Sequence, residues 1–422
     1  MNKVRYGSCP GAAAAICLLS GIATPVYAQG TPSASPFDPV INFGQTLKNN
    51  GVFMDLSYVQ DVTGNVNGGK ETGWMPIGNL AANAVFDLQT ILGIPGASIH
   101  IGFSDRNGIP VGAIAGSPAG LLQSDQGPAK FRLSWFYWEQ GFDNDRLDIT
   151  AGRVNPTFDF AFSSISCSFV GVICAQPTSW YFNNGSTPYP SATNGGRVNF
   201  QVTPEVYIRA GIYQHADQNG DFTNAGWNWA VNSAGAFYPV EIGYQTSAAA
   251  VTYPAKYDVG FYYDSSSYTK ADGTAGGRGA FWAQFQQAVW RPAPNSPQIL
   301  NVFGGALIYN GNSPQWGQYY LGIYDQAPFY TRPRDTIGFI ASLYTNNSDI
   351  HPNQKTQTMF ELNYGFSAIP GITIKPYTQY VIAPTNAGAP IGSTQPKNAW
   401  LIGVQFVIDL AQAFEWPQFI PH

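Results

Sequence analysis

The sequence predicts an all-β fold, a single-chain transmembrane antiparallel β-barrel of about 16 to 18 strands. Three observations carry that prediction. Segments alternating apolar and polar residues recur along most of the 422-residue chain, and period two marks a strand with two unlike faces. Charged residues make up 11% of the chain and aromatic residues 15%, a balance that suits an outer surface turned to lipid. Beyond the N-terminus, no segment approaches the ~18 consecutive apolar residues of a transmembrane helix. A membrane crossing would therefore be made by strands.

The elements follow in order. Val52, Met54, Leu56 and Tyr58 alternate with Phe53, Asp55, Ser57 and Val59. Leu80, Ala82, Ala84, Phe86 and Leu88 alternate with Asn79, Asn83, Asp87 and Gln89, and an Ile-Pro-Gly turn at 94–96 leads to Ile99, Ile101 and Phe103 against His100, Gly102 and Ser104. Leu147, Ile149 and Ala151 oppose Arg146, Asp148 and Thr150; Val198, Phe200 and Val202 oppose Arg197, Asn199 and Gln201. After a Thr-Pro turn, Val206, Ile208, Ala210 and Ile212 oppose Glu205, Tyr207, Arg209 and Tyr213. Later strand candidates are 240–246, 256–264, 279–290, 299–309, 318–324, 335–344, 357–367, 371–382 and 398–410. In the hairpin of 358–384, Phe360, Leu362, Phe366, Ile372 and Ile374 form a face for lipid, and Glu361, Asn363, Lys375 and Gln379 a face for water. Tight Pro/Gly corners alternate with long stretches rich in Gly, Asn, Ser and Pro at 105–128, 155–195 and 214–238, the rhythm of short turns at one barrel end and long loops at the other. At about 22 to 25 residues per tilted strand and connection, residues 29–422 hold about 16 to 18 strands. Barrels of that number enclose an aqueous channel.

The N-terminus reads as a secretory signal peptide over 1–28: Lys3 and Arg5, an apolar stretch from Ala12 to Ile22, then Val26-Tyr27-Ala28. A lead-in segment over 29–44 precedes the barrel of 45–410, and 411–422 is a tail or the end of the last strand. The formal net charge of -5 offers no basic stripe for nucleic acid. Beyond the signal peptide only Cys167 and Cys174 remain. In an oxidising compartment they are candidates for a local disulfide, and with no histidine near them they make a poor metal site. No cofactor motif is found.

A series of patches in fixed order resembles the carbohydrate-selective porin family, the OprB-like outer-membrane porins: DLSYVQDVTGNVNGG, FDLQTILGIPGASIHIGF, RLDITAGRVNPTFDFAFSSISCSF, NGGRVNFQVTPEVYIRAGIYQ, ELNYGFSAIPGITIKPYTQYVIAPTNAG and NAWLIGVQF. The resemblance runs from about residue 45 to residue 410. It implies a 16-stranded barrel in the outer membrane of a Gram-negative bacterium, with loops folded inward and arginines and aromatics at the constriction. It also implies passive admission of glucose and related monosaccharides. The sequence departs from the pattern at its C-terminus. Such barrels commonly end on an aromatic residue of the last strand, whereas AQAFEWPQFIPH follows Leu410 here. Either Phe419 belongs to a shifted last strand or a tail extends past the barrel.

A sugar presents hydroxyls around its rim and apolar C–H faces, so a selective pore needs donors, acceptors and flat aromatic surfaces. By alternation Arg132, Arg146, Arg197 and Arg209 fall on lumen-facing sides, as do Asp55, Asp87, Asp148, Glu205 and Glu361. Arginine's fork of donors fits adjacent hydroxyls. The same charges could instead pair with one another and stiffen the wall. Arg153 is pointed outward by strict alternation. Trp180 and Trp74 are candidates for stacking on sugar or for anchoring their own loops, and Tyr137, Tyr364, Tyr380 and Trp400 are assigned to lipid-facing girdles. The alternatives are a general diffusion porin for small hydrophilic solutes, an outer-membrane enzyme and a secreted sugar-binding β-protein. His100, His215, His351 and His422 are isolated from one another and no G-x-S-x-G occurs, so no catalytic residues are assigned. The partners are small neutral sugars and outer-membrane lipid; homo-oligomer and monomer are both open.

Overall fold

Backbone polar groups have no water to bond within a bilayer, so a spanning sheet must close on itself. The computed structural model describes residues 37–419, except 118–129, 172–188, 216–223, 232–233, 270–272, 295, 311–312, 350–351, 354–355 and 385–394. Its strands are β1 (Val52–Gly69), β2 (Gly73–Asp87), β3 (Ala97–Gly108), β4 (Phe131–Phe142), β5 (Leu147–Val154), β6 (Thr193–Gln201), β7 (Val206–Gln214) and β8 (Ala236–Gln245). They continue with β9 (Ala255–Thr269), β10 (Ala275–Trp290), β11 (Ile299–Tyr309), β12 (Gln315–Gln326), β13 (Thr336–Asn346), β14 (Gln357–Ile369), β15 (Ile372–Ile382) and β16 (Lys397–Asp409). Each pairs with its neighbours in sequence, and β1 pairs antiparallel with β16 to complete the 16-stranded barrel.

The two faces of each strand meet different surroundings. On β14, Glu361 is 0% exposed and its neighbour Leu362 50%. The same inversion recurs in β15, where Ile372, Ile374 and Tyr380 are exposed while Lys375, Tyr377 and Gln379 are buried. Apolar side chains thus face outward to lipid, and polar ones inward. Tyr380 and Trp400 stand on the outer face. Tyr364 lies there too, its hydroxyl donating to Asp335 in the turn between β12 and β13.

The start of β1 and the end of β16 lie at one end, where connections 88–96, 143–146, 202–205, 246–254, 291–298, 327–335 and 370–371 are all short. The long connections 109–130, 155–192 and 215–235 lie at the other end, although 70–72, 270–274 and 310–314 are short there as well. Before β1, helix α1 (Asp38–Asn49) packs at the terminal end. After β16 the chain turns through a short helix, Leu410–Ala413, and runs on as a tail. Phe419 therefore belongs to a tail and not to the last strand.

One face assignment changes. Tyr137 lies inside, stacked on His100 with ring centroids 4.6 Å apart, and not on a lipid-facing girdle. The cause is a β-bulge: Gly102 pairs with Trp135 and Phe103 with Leu133, leaving Ser134 as an extra residue in β4. That extra residue inverts the alternation beyond it, so Trp135, Tyr137 and Glu139 share the inner face with Arg132.

The closing seam is held by a side chain as well as by its ladder. Tyr377 of β15 pairs with Gly403 of β16, which pairs with Thr63 of β1. Its ring lies across Gly403, where a Cβ would come within 2.6 Å of the ring, and its hydroxyl reaches the Thr63 hydroxyl. Only a residue without a side chain leaves that path open. Next to it, Gln405 donates to Asp61 at 3.1 Å. We expect Gly403→Ala to push Tyr377 off this row and destabilise the barrel by about 1–3 kcal/mol. Heat-modifiable migration in SDS gels reads this directly, and a wild-type transition temperature would contradict the seam's dependence on this glycine.

Candidate functional site

The lumen is occupied by a belt, residues 155–171, that leaves the end of β5 and follows the inner wall. Its start is fixed locally: Asn155 caps the short turn of 156–158 by accepting from the Thr157 N–H at 2.9 Å, with its amide on the Ser191 carbonyl. From there the wall holds it strand by strand. Arg209 of β7 donates to the Asp159 carbonyl. Glu241 of β8 accepts the Ala161 N–H at 2.7 Å. Lys256 of β9 and Gln284 of β10 both donate to the Phe162 carbonyl, at 2.5 and 3.1 Å. Phe169 packs on Phe303 of β11 and Tyr324 of β12. Glu361 of β14 receives the Val170 and Gly171 N–H groups at 2.7 Å each, and Lys375 of β15 donates to the Ser168 carbonyl at 2.8 Å. Charged partners make these bonds stronger than neutral ones. The belt therefore behaves as part of the wall.

Arg197 is the electrostatic centre of the belt's first turn. Its guanidinium meets Asp148 of β5, Asp159 of the belt at 2.6 Å and Glu139 of β4 at 3.5 Å, with its side chain 4% exposed. Arg209 lies beside it, its Nε donating to Asn199 at 3.2 Å and its Nη1 3.9 Å from Glu241. The side chains in this region that keep some contact with solvent include Tyr137, Asp148, Asn199, Arg209, Lys256 and Gln286 of the wall and Phe158, Asp159, Phe162 and Ser164 of the belt. Above them Phe158, Trp135 and Tyr189 form a three-ring cluster, with centroid separations of 5.8 to 6.0 Å.

The sequence candidates distribute unevenly over this site. Arg197 and Arg209 meet at the first turn of the belt, and Glu361 holds its other end. Arg132 is fully buried on the inner face opposite Ser104. Asp55 is on the inner face near the terminal end, accepting from Asn83 at 3.0 Å. Arg146 is not in the lumen: β5 begins one residue later, and Arg146 sits in the turn with its side chain 53% exposed, over the outward Phe200 ring. Glu205 and Asp87 also lie at strand ends, Asp87 capping the helix Leu88–Leu92. Trp74 is 58% exposed on the outer face of β2, across Gly64, so it belongs to the lipid-facing surface. Arg153 points outward, as strict alternation requires, and is covered by the 224–231 segment, donating to the Asn228 and Ala192 carbonyls beneath Trp229. Trp180 lies outside the described residues. Cys167 is disulfide-bonded, and its candidate partner Cys174 lies outside the described residues.

Arg106 escaped the sequence reading. It stands on the inner face of β3, held by Asn79 at 3.2 Å with its guanidinium 5.3 Å from the Tyr189 ring centroid. Continuing the alternation of β3 beyond Ser104 would have found it.

A serine and a glutamate do meet His100. Ser98 and Glu139 each lie 2.9 Å from its Nε2. A catalytic triad places the nucleophile on one ring nitrogen and the acid on the other. Here both share Nε2 while Nδ1 has no partner, so the cluster lacks the relay geometry. Among the described residues no group of three or more His, Cys, Asp or Glu side chains could hold a metal ion.

Comparison with known proteins follows from this geometry. The model of the family described as carbohydrate-selective porin, OprB family, matches residues 71–410. The chain is 24% identical over 406 residues to Porin B of Pseudomonas aeruginosa, covering 85% of this chain and 87% of that one. It is also 24% identical over 400 residues to the putative porin QuiX of Acinetobacter baylyi, covering 85% and 89%. The high-pH structure of Pseudomonas putida OprB superposes with a TM-score of 0.76 at 21% identity, over 86% of this chain and 96% of that one. At that identity the superposition speaks for the fold.

Glu361→Ala deletes the acceptor of two belt N–H groups, and a buried donor left unpaired costs about 1–3 kcal/mol. Release of the belt end is the expected outcome, seen as larger and noisier single-channel conductance in planar bilayers from a barrel that still assembles. Conductance equal to wild type would show that the belt is held without Glu361.

Proposed function

The chain belongs to the OprB family of carbohydrate-selective porins, and from that premise we propose that it passes monosaccharides such as glucose, passively, from outside the cell into the periplasm. A sugar-selective outer-membrane channel is what the family provides; the choice of monosaccharides and the residues that contact them are the proposal. The observation that carries it is the belt of 155–171. It runs along the inner wall of the 16-stranded barrel and brings together both kinds of surface that a pyranose needs.

The mechanism is one of weak, successive contacts. Phe158 and Phe162 offer ring faces to the C–H side of a sugar, and Asp148, Asp159, Arg209 and Lys256 offer acceptors and donors to its hydroxyls. Arg197, being enclosed by three carboxylates, acts through them: it fixes Asp148 and Asp159 and balances their charge. Interleaved charges of both signs keep the passage from favouring one ion strongly. Conduction requires that no single contact be tight, so that release keeps pace with uptake. The same reading places the protein in the outer membrane, with the terminal end facing the periplasm and the long connections facing outward.

A general diffusion porin shares the fold, and saturation separates the two. Flux of glucose through the purified protein in liposomes is expected to saturate and to exceed that of neutral solutes of similar size. Flux that follows size alone would make the channel a general one. Phe158→Ala is expected to raise the half-saturating glucose concentration about two- to tenfold, the effect of losing one stacking contact, while ion conductance persists.

A further inference from the structure

The tail segment FEWPQF, residues 414–419, is unexplained by the barrel itself, and the structure gives it a fixed position. Trp416 lies against Gly44 of α1, where a Cβ would run into its ring, and its indole N–H donates to the Val40 carbonyl at 2.9 Å. Phe414 packs on Phe37 at 5.8 Å and Trp416 on Phe43 at 6.0 Å. Docked in this way, the tail brings Phe419 to the inner wall, 5.3 Å from Phe53 and 5.9 Å from His100.

The wall at that point carries two adjoining rows. In one, Phe53, Val85, His100 and Tyr137 pair in sequence across β1, β2, β3 and β4. In the other, Asp55, Asn83, Gly102 and Trp135 pair across the same strands. One row is largely aromatic, and the other begins with a carboxylate and an amide. Asn83 Oδ1 and His100 Nδ1 are both buried with no hydrogen-bond partner in the protein. Buried polar atoms are nearly always satisfied, so these two leave unmet hydrogen-bonding capacity in this part of the wall.

We propose that these rows and Phe419 form a second monosaccharide subsite at the periplasmic mouth, adjoining the belt through Trp135, with Phe419 as the ring that covers it. The proposal rests on the reading of the protein as a sugar channel. A pyranose lies with its C–H face against Phe53 and Phe419. Its hydroxyls accept from and donate to the Asp55–Asn83 pair. The tail thereby contributes a residue to the transport path, and the sugar is handed from the belt to a last weak site before release.

The test is one-sided addition of glucose to single channels of the full chain in planar bilayers, with orientation set by the asymmetry of the current. In the wild type, glucose added from the periplasmic side interrupts the current with its own half-saturation. Phe419→Ala is expected to weaken that half-saturation about two- to tenfold and to leave the value from the extracellular side unchanged. Phe419→Trp is expected to restore it. An unchanged periplasmic value in Phe419→Ala, or an equal change from both sides, overturns the subsite. Saturation from the extracellular side alone in the wild type also overturns it and leaves the channel reading standing. Saturation from neither side removes the sugar reading and the subsite with it.

Discussion

Closure of the sheet is the constraint on which everything else in this protein depends. A bilayer offers no partner for an open strand edge, so β1 and β16 must find each other across nearly the whole chain. Their ladder runs from Ser57 opposite Asp409 to Gly69 opposite Lys397. Tyr377 ties the seam from a third strand by passing over Gly403 to Thr63. Similar pairings recur inside the wall, with the Tyr320 ring across Gly305 and the Phe303 ring across Gly322. Large rings lying flat over glycines stiffen the lining without filling the lumen.

Closure exchanges the usual inside and outside. Apolar residues go to lipid at no penalty, whereas a charge on the lipid face costs about 2–4 kcal/mol near the midplane. The charges are gathered inside, and there they serve the belt. Arg197, Arg209, Glu241, Lys256, Glu361 and Lys375 each bond a belt residue directly. The same side chains thus hold the belt in place. A belt tied to so many strands has little freedom to swing away.

The sequence made the barrel legible because alternation is local. Segments such as 299–309 and 371–382 show their two faces within a dozen residues, and lipid removes the ambiguity that a protein core would leave. The site was harder. Arg197 and Glu361 stood on the correct faces by alternation, but their partners are distant: Val170 and Glu361 are joined across 191 positions, a separation no periodicity reports. Ser134 shows a second limit. One bulge residue inverted β4 and carried Tyr137 inside, and nothing in its composition announces this. Arg146 shows a third, since a strand that starts one residue later turns a lumen charge into an exposed turn residue. Trp74, in the stretch TGWMP, read as a loop residue but lies on the outer face of β2.

The central claim is that a sugar crosses this barrel along the belt, touching its rings and the carboxylates fixed by Arg197. The most direct measurement is a crystal structure of the protein soaked with glucose. The account predicts sugar density beside Phe158 and Phe162, with hydroxyls within hydrogen-bond distance of Asp148, Asp159 or Arg209. Sugar bound only away from the belt, with those side chains facing bulk water alone, would contradict it.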